Sequence, residues 1–407
     1  MSEFEFIEGG VTAPQGFQAA GVHTGFRDDP SRLDTALVYS EVAGTAAAGT
    51  FTQNVFCAAP VKLSRKVAKA GKARAVILNS GNANAATGVP GDETALESQA
   101  ITATALGVDQ SEVFVASTGV IGVQLPLEPY KSGLPLLKEA LSSSEQAAHD
   151  AARAIMTTDT VPKEGAVSFN IGGVECKIGG MSKGSGMIMP NMATMLAVLT
   201  TDATIDPEML QAALKHAVDN SFNKITVDSD TSTNDSCFAL ANGSAGAPAI
   251  LKGTPEFELF AAALRALCEH LARKMAADGE GASKLVTVNV TGAANDDDAD
   301  KAARTIANSP LVKTAIAGHD CNWGRIAAAL GRSGAAFKQE DVDIDIMGMP
   351  VLRGGLPTGF DEDEALRRFE ADEIVIDVAM GAGDSSTRMW TCDFTHDYIS
   401  INADYRS

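Results

Sequence analysis

The chain of 407 residues is 45% hydrophobic and 21% charged, the balance of a folded globular protein, and it is long enough to bury a large core in two lobes. Its formal net charge of −20 repels phosphate backbones and anionic lipid headgroups, which argues against nucleic-acid and peripheral-membrane partners. The acidic start, Met1-Ser2-Glu3-Phe4-Glu5, lacks the basic region of a secretory signal, and no apolar run approaches the roughly 20 residues of a membrane span, so a cytoplasmic location is expected.

Residues 1–30 read as loop and short strand, with turns at Gly9-Gly10 and Asp28-Asp29-Pro30. Strands are predicted from Thr35 to Val42 and from Ala73 to Asn79, and between them a helix exposes Lys62, Arg65, Lys66 and Lys69. The loop Asn79-Ser80-Gly81-Asn82-Ala83-Asn84-Ala85 is most simply an Asn/Gly turn; tight backbone packing or ligand contact is the sharper alternative. A helix from Asp92 to Leu106 and a strand from Glu112 to Ala116 follow, and the strand is expected to end in a turn at Ser117-Thr118-Gly119. A strand running into Thr-Gly presents backbone N–H groups where glycine permits close approach, a common way to build an oxyanion hole.

Helices are predicted from Leu127 to Leu141 and from Ser144 to Met156, the second leaving through the polar cluster Thr157-Thr158-Asp159-Thr160. Two short apolar runs, Ala166 to Asn170 and Glu175 to Gly179, pair as a hairpin about Ile171-Gly172-Gly173 and deliver the chain to Lys183. From there Lys183-Gly184-Ser185-Gly186-Met187-Ile188-Met189-Pro190-Asn191-Met192-Ala193-Thr194 leads into Met195-Leu196-Ala197-Val198-Leu199, a buried strand. Later elements are a helix from Pro207 to Val218, a strand near Lys224 to Val227, and the polar run Asp228 to Asp235, whose spacing does not match a calcium loop. Thr254 caps a long helix from Pro255 to Ala277, whose stripe of Phe260, Leu264, Leu267, Leu271 and Met275 faces a core. It stops at Asp278-Gly279, just before Glu280.

A second compositional unit is expected from about residue 295: a helix from Asp296 to Ile306, a strand from Leu311 to Ala317, a helix opening at Asn322, and a strand from Glu373 to Met380. The glycines of Gly381-Ala382-Gly383 precede another strand, so no phosphate-binding helix N-terminus is formed. The six cysteines contain no Cys-x-x-Cys pair and read as buried small hydrophobes; with no His-x-x-x-His spacing either, no metal site is expected.

Thr194 is the residue on which chemistry turns. A threonine at the head of an apolar strand is ordinarily structural, because its hydroxyl is a poor nucleophile without a base beside it. A threonine that begins a chain has such a base in its own α-amine, whose pKa of about 7.7–8.0 leaves a useful neutral fraction. The chain would have to cut itself between Ala193 and Thr194, and the glycines, proline and asparagine just upstream suit the tight turn that self-cleavage needs.

The string from Lys183 to Ile188 followed by Pro190-Asn191-Met192-Ala193-Thr194-Met195-Leu196 closely resembles the cleavage-site signature of the ornithine acetyltransferase family of arginine biosynthesis. The resemblance extends from the Asn79 loop, through Asn322-Trp323-Gly324-Arg325-Ile326, to the tail; Cys321 and the Gly381 turn depart from the family pattern. It implies an α/β fold of helices sandwiching mixed β-sheets, αββα-type and N-terminal-nucleophile-like, with a smaller C-terminal α/β lobe. It also implies fragments 1–193 and 194–407 assembled as a heterotetramer, two of each.

In that family's terms Thr194 is the nucleophile, Thr118 and Gly119 form the oxyanion hole, and Thr157, Glu280, Asn402 and Ser407 contact substrate. Lys183, the cation nearest in sequence to Thr194, is the natural partner for a substrate carboxylate. The implied reaction moves acetyl from N2-acetylornithine to glutamate, with no cofactor; acetyl-coenzyme A is admitted as a second donor substrate. Two other readings stand beside it: an N-terminal-nucleophile amidohydrolase or aminopeptidase, and a non-enzymatic small-molecule binding protein.

Overall fold

The computed structural model describes residues 3–189 and 195–404. These form two compact units, one made of residues up to Asn223 and from Asp230 to Met275, the other of Lys224–Ser229 and the chain from Ala276 onward.

The described part of the first unit contains strands β1 (Phe4–Ile7), β2 (Phe17–Val22), β3 (Thr35–Ser40), β4 (Ala46–Phe51), β5 (Ala75–Asn82), β6 (Val113–Val120), β7 (Lys163–Ile171), β8 (Val174–Lys183), β9 (Leu196–Thr201) and β10 (Ser236–Ala241). Its helices are α1 (Ala59–Ala70), α2 (Gly88–Leu106), α3 (Glu128–Ala140), α4 (Glu145–Ala154), α5 (Pro207–Asp219) and α6 (Pro255–Ala277). One sheet has the order β1-β7-β8-β9-β10-β4, with β9 and β10 parallel and every other pair antiparallel. The other runs β2-β3-β5-β6, with β5 and β6 parallel.

The sheets face each other across one core, where Phe17, Val38, Val76 and Phe114 meet Met181, Leu196, Val198 and Phe238. Leu37, Ile77 and Val115 turn the opposite face of the four-stranded sheet to Tyr130, Leu134 and Leu137 of α3. On the outer face of the six-stranded sheet, Leu267 and Leu271 of α6 lie over Gly165 and Gly180, and Phe260 meets Phe169 with ring centroids 6.0 Å apart. All five residues of the predicted α6 stripe are buried, as their three- and four-residue spacing requires. The result is the mixed-sheet sandwich between helices that the resemblance implies. β9 and β10 are buried along their whole length, which explains why Met195 to Leu199 reads as an uninterrupted apolar run.

The second unit holds β11 (Leu285–Ala293), β12 (Asp343–Ile346), β13 (Met349–Arg353), β14 (Leu356–Pro357), β15 (Glu373–Ala379) and β16 (Ser385–Cys392) in the order β14-β13-β12-β15-β11-β16. With them go α7 (Asp296–Ala307), α8 (Pro310–Ala317), α9 (Trp323–Gly331), α10 (Glu362–Arg368) and α11 (His396–Asp404). A boundary at about 295 would cut β11 away from its partners β15 and β16; the unit starts at Ala276.

The local expectations need three corrections. The segment expected as a strand from Leu311 to Ala317 is helix α8: Ser309 accepts the N–H of Val312 and Pro310 occupies the first turn, a start signal that outweighs β-branched Val312 and Ile316. The strand expected near Lys224 to Val227 is a 3-10 turn at Phe222–Lys224 followed by a single bridge from Ile225 to Trp390. Finally, β6 does not stop at Ala116 but carries Thr118 and Gly119 as strand residues. Cys57 and Cys321 are only half-buried, unlike the other four cysteines.

Candidate active site

Thr118 and Gly119 are placed by strand pairing. In the parallel ladder Ser80 faces Thr118 and Gly81 faces Gly119, after which Asn82 lies opposite both Thr118 and Val120 in a bulge. Both glycines have positive φ, +103° at Gly81 and +133° at Gly119, and a Cβ on Gly119 would lie 2.3 Å from the Gly81 carbonyl carbon. Only glycine permits this approach, so the ladder continues where a turn was expected and ends at a bulge, a device that re-aims residues beside active sites. The asparagines of β5 and the following loop hold the arrangement from behind. Asn79 Nδ2 donates to Asn82 O (3.0 Å), Asn84 Nδ2 to Gly91 O (3.0 Å), and Tyr130 OH to Asn79 Oδ1 (2.9 Å). Tight backbone packing therefore accounts for this polar stretch better than a plain turn does.

Lys183, at the end of β8, reaches across the core from the other sheet and brings Nζ to 3.5 Å from Thr118 Oγ1. It is 7% exposed. Its charge is balanced by Asp159, a buried carboxylate that accepts from Lys163 Nζ (2.6 Å), Gly184 N (2.7 Å) and Thr157 N (3.0 Å). Burial pushes the Asp159 carboxyl up, but Lys183, Lys163 and these hydrogen bonds outweigh it and hold the group at about 2, below its ordinary 3.8. Asp159 thus joins three predicted or neighbouring parts of the site: the Thr157 backbone, the approach at Gly184, and Lys183.

The predicted nucleophile Thr194 and the cleavage partner Ala193 lie outside the described residues, but both flanks are fixed. Met189 N donates to Asp230 O (2.9 Å), and Thr231 Oγ1 donates to Met189 O (3.0 Å). On the far side Ser236 N donates to Met195 O (2.9 Å), and Leu196 pairs with Lys183. The approach is also bent: Met187 has a φ of +55°, a left-handed conformation that costs a residue with a side chain about 1–2 kcal/mol. The same loop reaches β6, because buried Asn234 donates from Nδ2 to Ser117 O (2.8 Å) and Ala83 O (2.6 Å). Residues 230–236 therefore form a bracket around Met189, Met195 and the end of β6. Among the described residues no group of three His, Cys, Asp or Glu side chains converges as a metal site.

In the second unit Glu280 is 7% exposed and accepts from Asn402 Nδ2 at 2.8 Å, so these two predicted residues meet. Gly281 has a φ of +68°, and a Cβ there would lie 2.5 Å from Tyr398 N, which seats α11 directly on the loop bearing Glu280. Ser407 lies outside the described residues.

Asp159, Lys163 and Asn234 were not legible as individual site residues. Asp159 sits in a polar helix exit like many others, and only its four-residue step to Lys163 hinted at a pair. Asn234 is one of several hydroxyl, amide and carboxylate residues in its loop.

The end of β6 thus brings a threonine hydroxyl, a tightly packed glycine backbone and a buried lysine together, and the comparisons with known proteins give the class of enzyme. The model of the ArgJ family matches residues 18–407. Over 404 residues the chain is 49% identical to the arginine biosynthesis bifunctional protein of Symbiobacterium thermophilum, covering 99% of this chain and 100% of that one. It is also 49% identical over 397 residues to the protein of the same name from Chlorobaculum tepidum, covering 97% and 96% of the two chains. The crystal structure of the Bacillus halodurans arginine biosynthesis bifunctional protein superposes with a TM-score of 0.51 at 47% identity, covering 52% of this chain and 100% of that one. The chain belongs to the ArgJ family, whose members are enzymes of arginine biosynthesis.

Proposed function

We propose that the chain cuts itself ahead of Thr194 and then moves an acetyl group from N2-acetylornithine to glutamate through an acetyl-Thr194 intermediate. The observation that carries this reading is the meeting of Lys183, Thr118 and Gly119 at the strand end beside Leu196, two residues downstream of the proposed nucleophile. In the first half-reaction Thr194 Oγ attacks the acetyl carbon while its proton passes to the freed α-amine. The carbonyl electron pair moves onto oxygen opposite Thr118 and Gly119. Collapse breaks the C–N bond, the departing nitrogen takes the proton, and ornithine leaves. In the second half-reaction the glutamate amine attacks the acetyl-enzyme and regenerates the hydroxyl. The acetyl group passes between two amines with no change of oxidation state, so the scheme calls on no cofactor.

Thr157, Lys183, Glu280, Asn402 and Ser407 are the proposed substrate contacts. The fragments are expected to assemble as two copies of each in the cytoplasm; among the described residues no helix is long and apolar enough to cross a membrane. Two relatives carry the word bifunctional in their names, which extends the reading to acetyl-coenzyme A as a second donor. Denaturing electrophoresis with mass analysis should show pieces of 193 and 407 − 193 = 214 residues, and the purified protein should convert N2-acetylornithine and glutamate to ornithine and N-acetylglutamate. An intact chain that transfers acetyl would remove Thr194 as nucleophile. Acetate in place of N-acetylglutamate would make the protein an amidohydrolase.

A further inference from the structure

Lys183 and Thr118 belong to different sheets, yet Lys183 Nζ lies 3.5 Å from Thr118 Oγ1, at the outer limit of hydrogen-bonding distance. An ammonium group has donors and no acceptor, so across this contact the nitrogen donates and the threonine oxygen accepts. A hydroxyl that accepts in this way keeps its own proton for another partner. No acceptor among the described residues takes that proton. Asp159 fixes the backbone N–H of Gly184, the residue after Lys183, which restrains the direction from which the lysine approaches.

We propose that Lys183, set in place by Asp159, orients and polarises the Thr118 hydroxyl so that its proton faces the acyl oxygen. Lys183 and Asp159 are then positioning residues of the acyl-transfer step, acting through Thr118. A hydroxyl that already accepts from a cation is a stronger donor, and in a buried site a fixed charge needs no reorganisation as the oxyanion develops. This role rests on the acyl-transfer reading above. It differs from the simpler role of Lys183 as partner of a substrate carboxylate, which would be felt in binding and would not depend on Thr118.

The test is a double-mutant cycle on the purified, processed enzyme, read as ornithine release from N2-acetylornithine. Release reports attack on the acetyl carbon whether glutamate or water then accepts the group. The variants are T118V, K183M, K183R and the two double variants, so that misfolding of one lysine variant leaves the other to be read. With Thr118 present, K183M should lower kcat by roughly tenfold or more, beyond any rise in KM from the loss of a substrate contact. In the T118V background the same change should cost less than about twofold. D159N should lower kcat in the same sense, with partial recovery in D159E. Equal losses in both backgrounds, or an effect confined to KM, would overturn the proposal while the acyl-transfer reading stood. A wild-type enzyme that releases no ornithine would overturn both.

Discussion

Asn234 and Ser117 are joined by a buried hydrogen bond of 2.8 Å, and the same amide nitrogen reaches Ala83 O at 2.6 Å. Ser117 O belongs to the peptide that carries the Thr118 N–H, so one side chain sets the pitch of the strand end that bears the proposed oxyanion hole. Thr233 Oγ1 donates to Asn234 Oδ1 at 2.6 Å and fixes which way round the amide lies. Asn234→Ala would strand two buried carbonyls at a cost of about 1–3 kcal/mol. The expected outcome is a lowered denaturant midpoint together with a lowered kcat. Asn234→Asp should restore neither, because a carboxylate cannot donate to those carbonyls.

Gly119 has no room for a side chain. Gly119→Ala would press a Cβ against the Gly81 backbone at 2.3 Å, at a φ that favours glycine. We expect loss of about 4 kcal/mol or more of stability, read as an insoluble or unprocessed chain. Thr118→Ser at the neighbouring position keeps the hydroxyl and should retain most activity, whereas Thr118→Val should lower kcat by about 10²–10³ while the melting temperature changes little.

Asp159 gives the protein a defined acid response. Its carboxyl lies at about 2 in the folded chain against an ordinary 3.8, so the stabilisation is full above 3.8 and disappears as pH falls through 2. A shift of that size corresponds to about 2 kcal/mol. Denaturant unfolding of the wild-type chain between about pH 4 and pH 2 should show that loss, and Asp159→Asn should flatten the slope over the same window. Lys163→Met should be the harsher change at neutral pH, about 3–5 kcal/mol, since it removes one partner of a fully buried ion pair.

Asn402 supplies a hydrogen bond to the buried Glu280 carboxylate at 2.8 Å. Asn402→Ala should raise KM for N2-acetylornithine more than it lowers kcat, with the fold unchanged by circular dichroism. Equal losses in both parameters would place the pair in the chemical step.

The legible parts of the chain were those whose signals are local. Helix α6 announces itself by Thr254, Pro255, a five-residue stripe and the stop at Asp278-Gly279, all within one stretch. Helix α8 is hard to read because Leu311, Val312 and Ile316 resemble a strand, while the decisive Ser309-Pro310 start spans only two residues. Gly119 looked like a turn because its pairing with Gly81 joins residues far apart in sequence. Asp159 is ordinary until the fold brings Lys163 and Lys183 to it, and Asn234 until the facing sheet supplies the carbonyls it bridges. The proposed nucleophile stands out for another reason: a long string of specific residues resembles a known cleavage site, which no periodicity could reveal.

The strand order β1-β7-β8-β9-β10-β4 governs what self-cleavage can do to the molecule. A break ahead of Thr194 assigns β9 and β10 to the new second polypeptide, while β8 on one side of them and β4 on the other stay with the first. The severed pieces are thus interleaved within a single hydrogen-bonded layer, like fingers of two hands. Neither could be withdrawn without tearing ladders on both sides, and neither, made alone, would own the whole of this sheet. The proposed cleavage would therefore add a reactive terminus without creating a seam along which the enzyme could come apart.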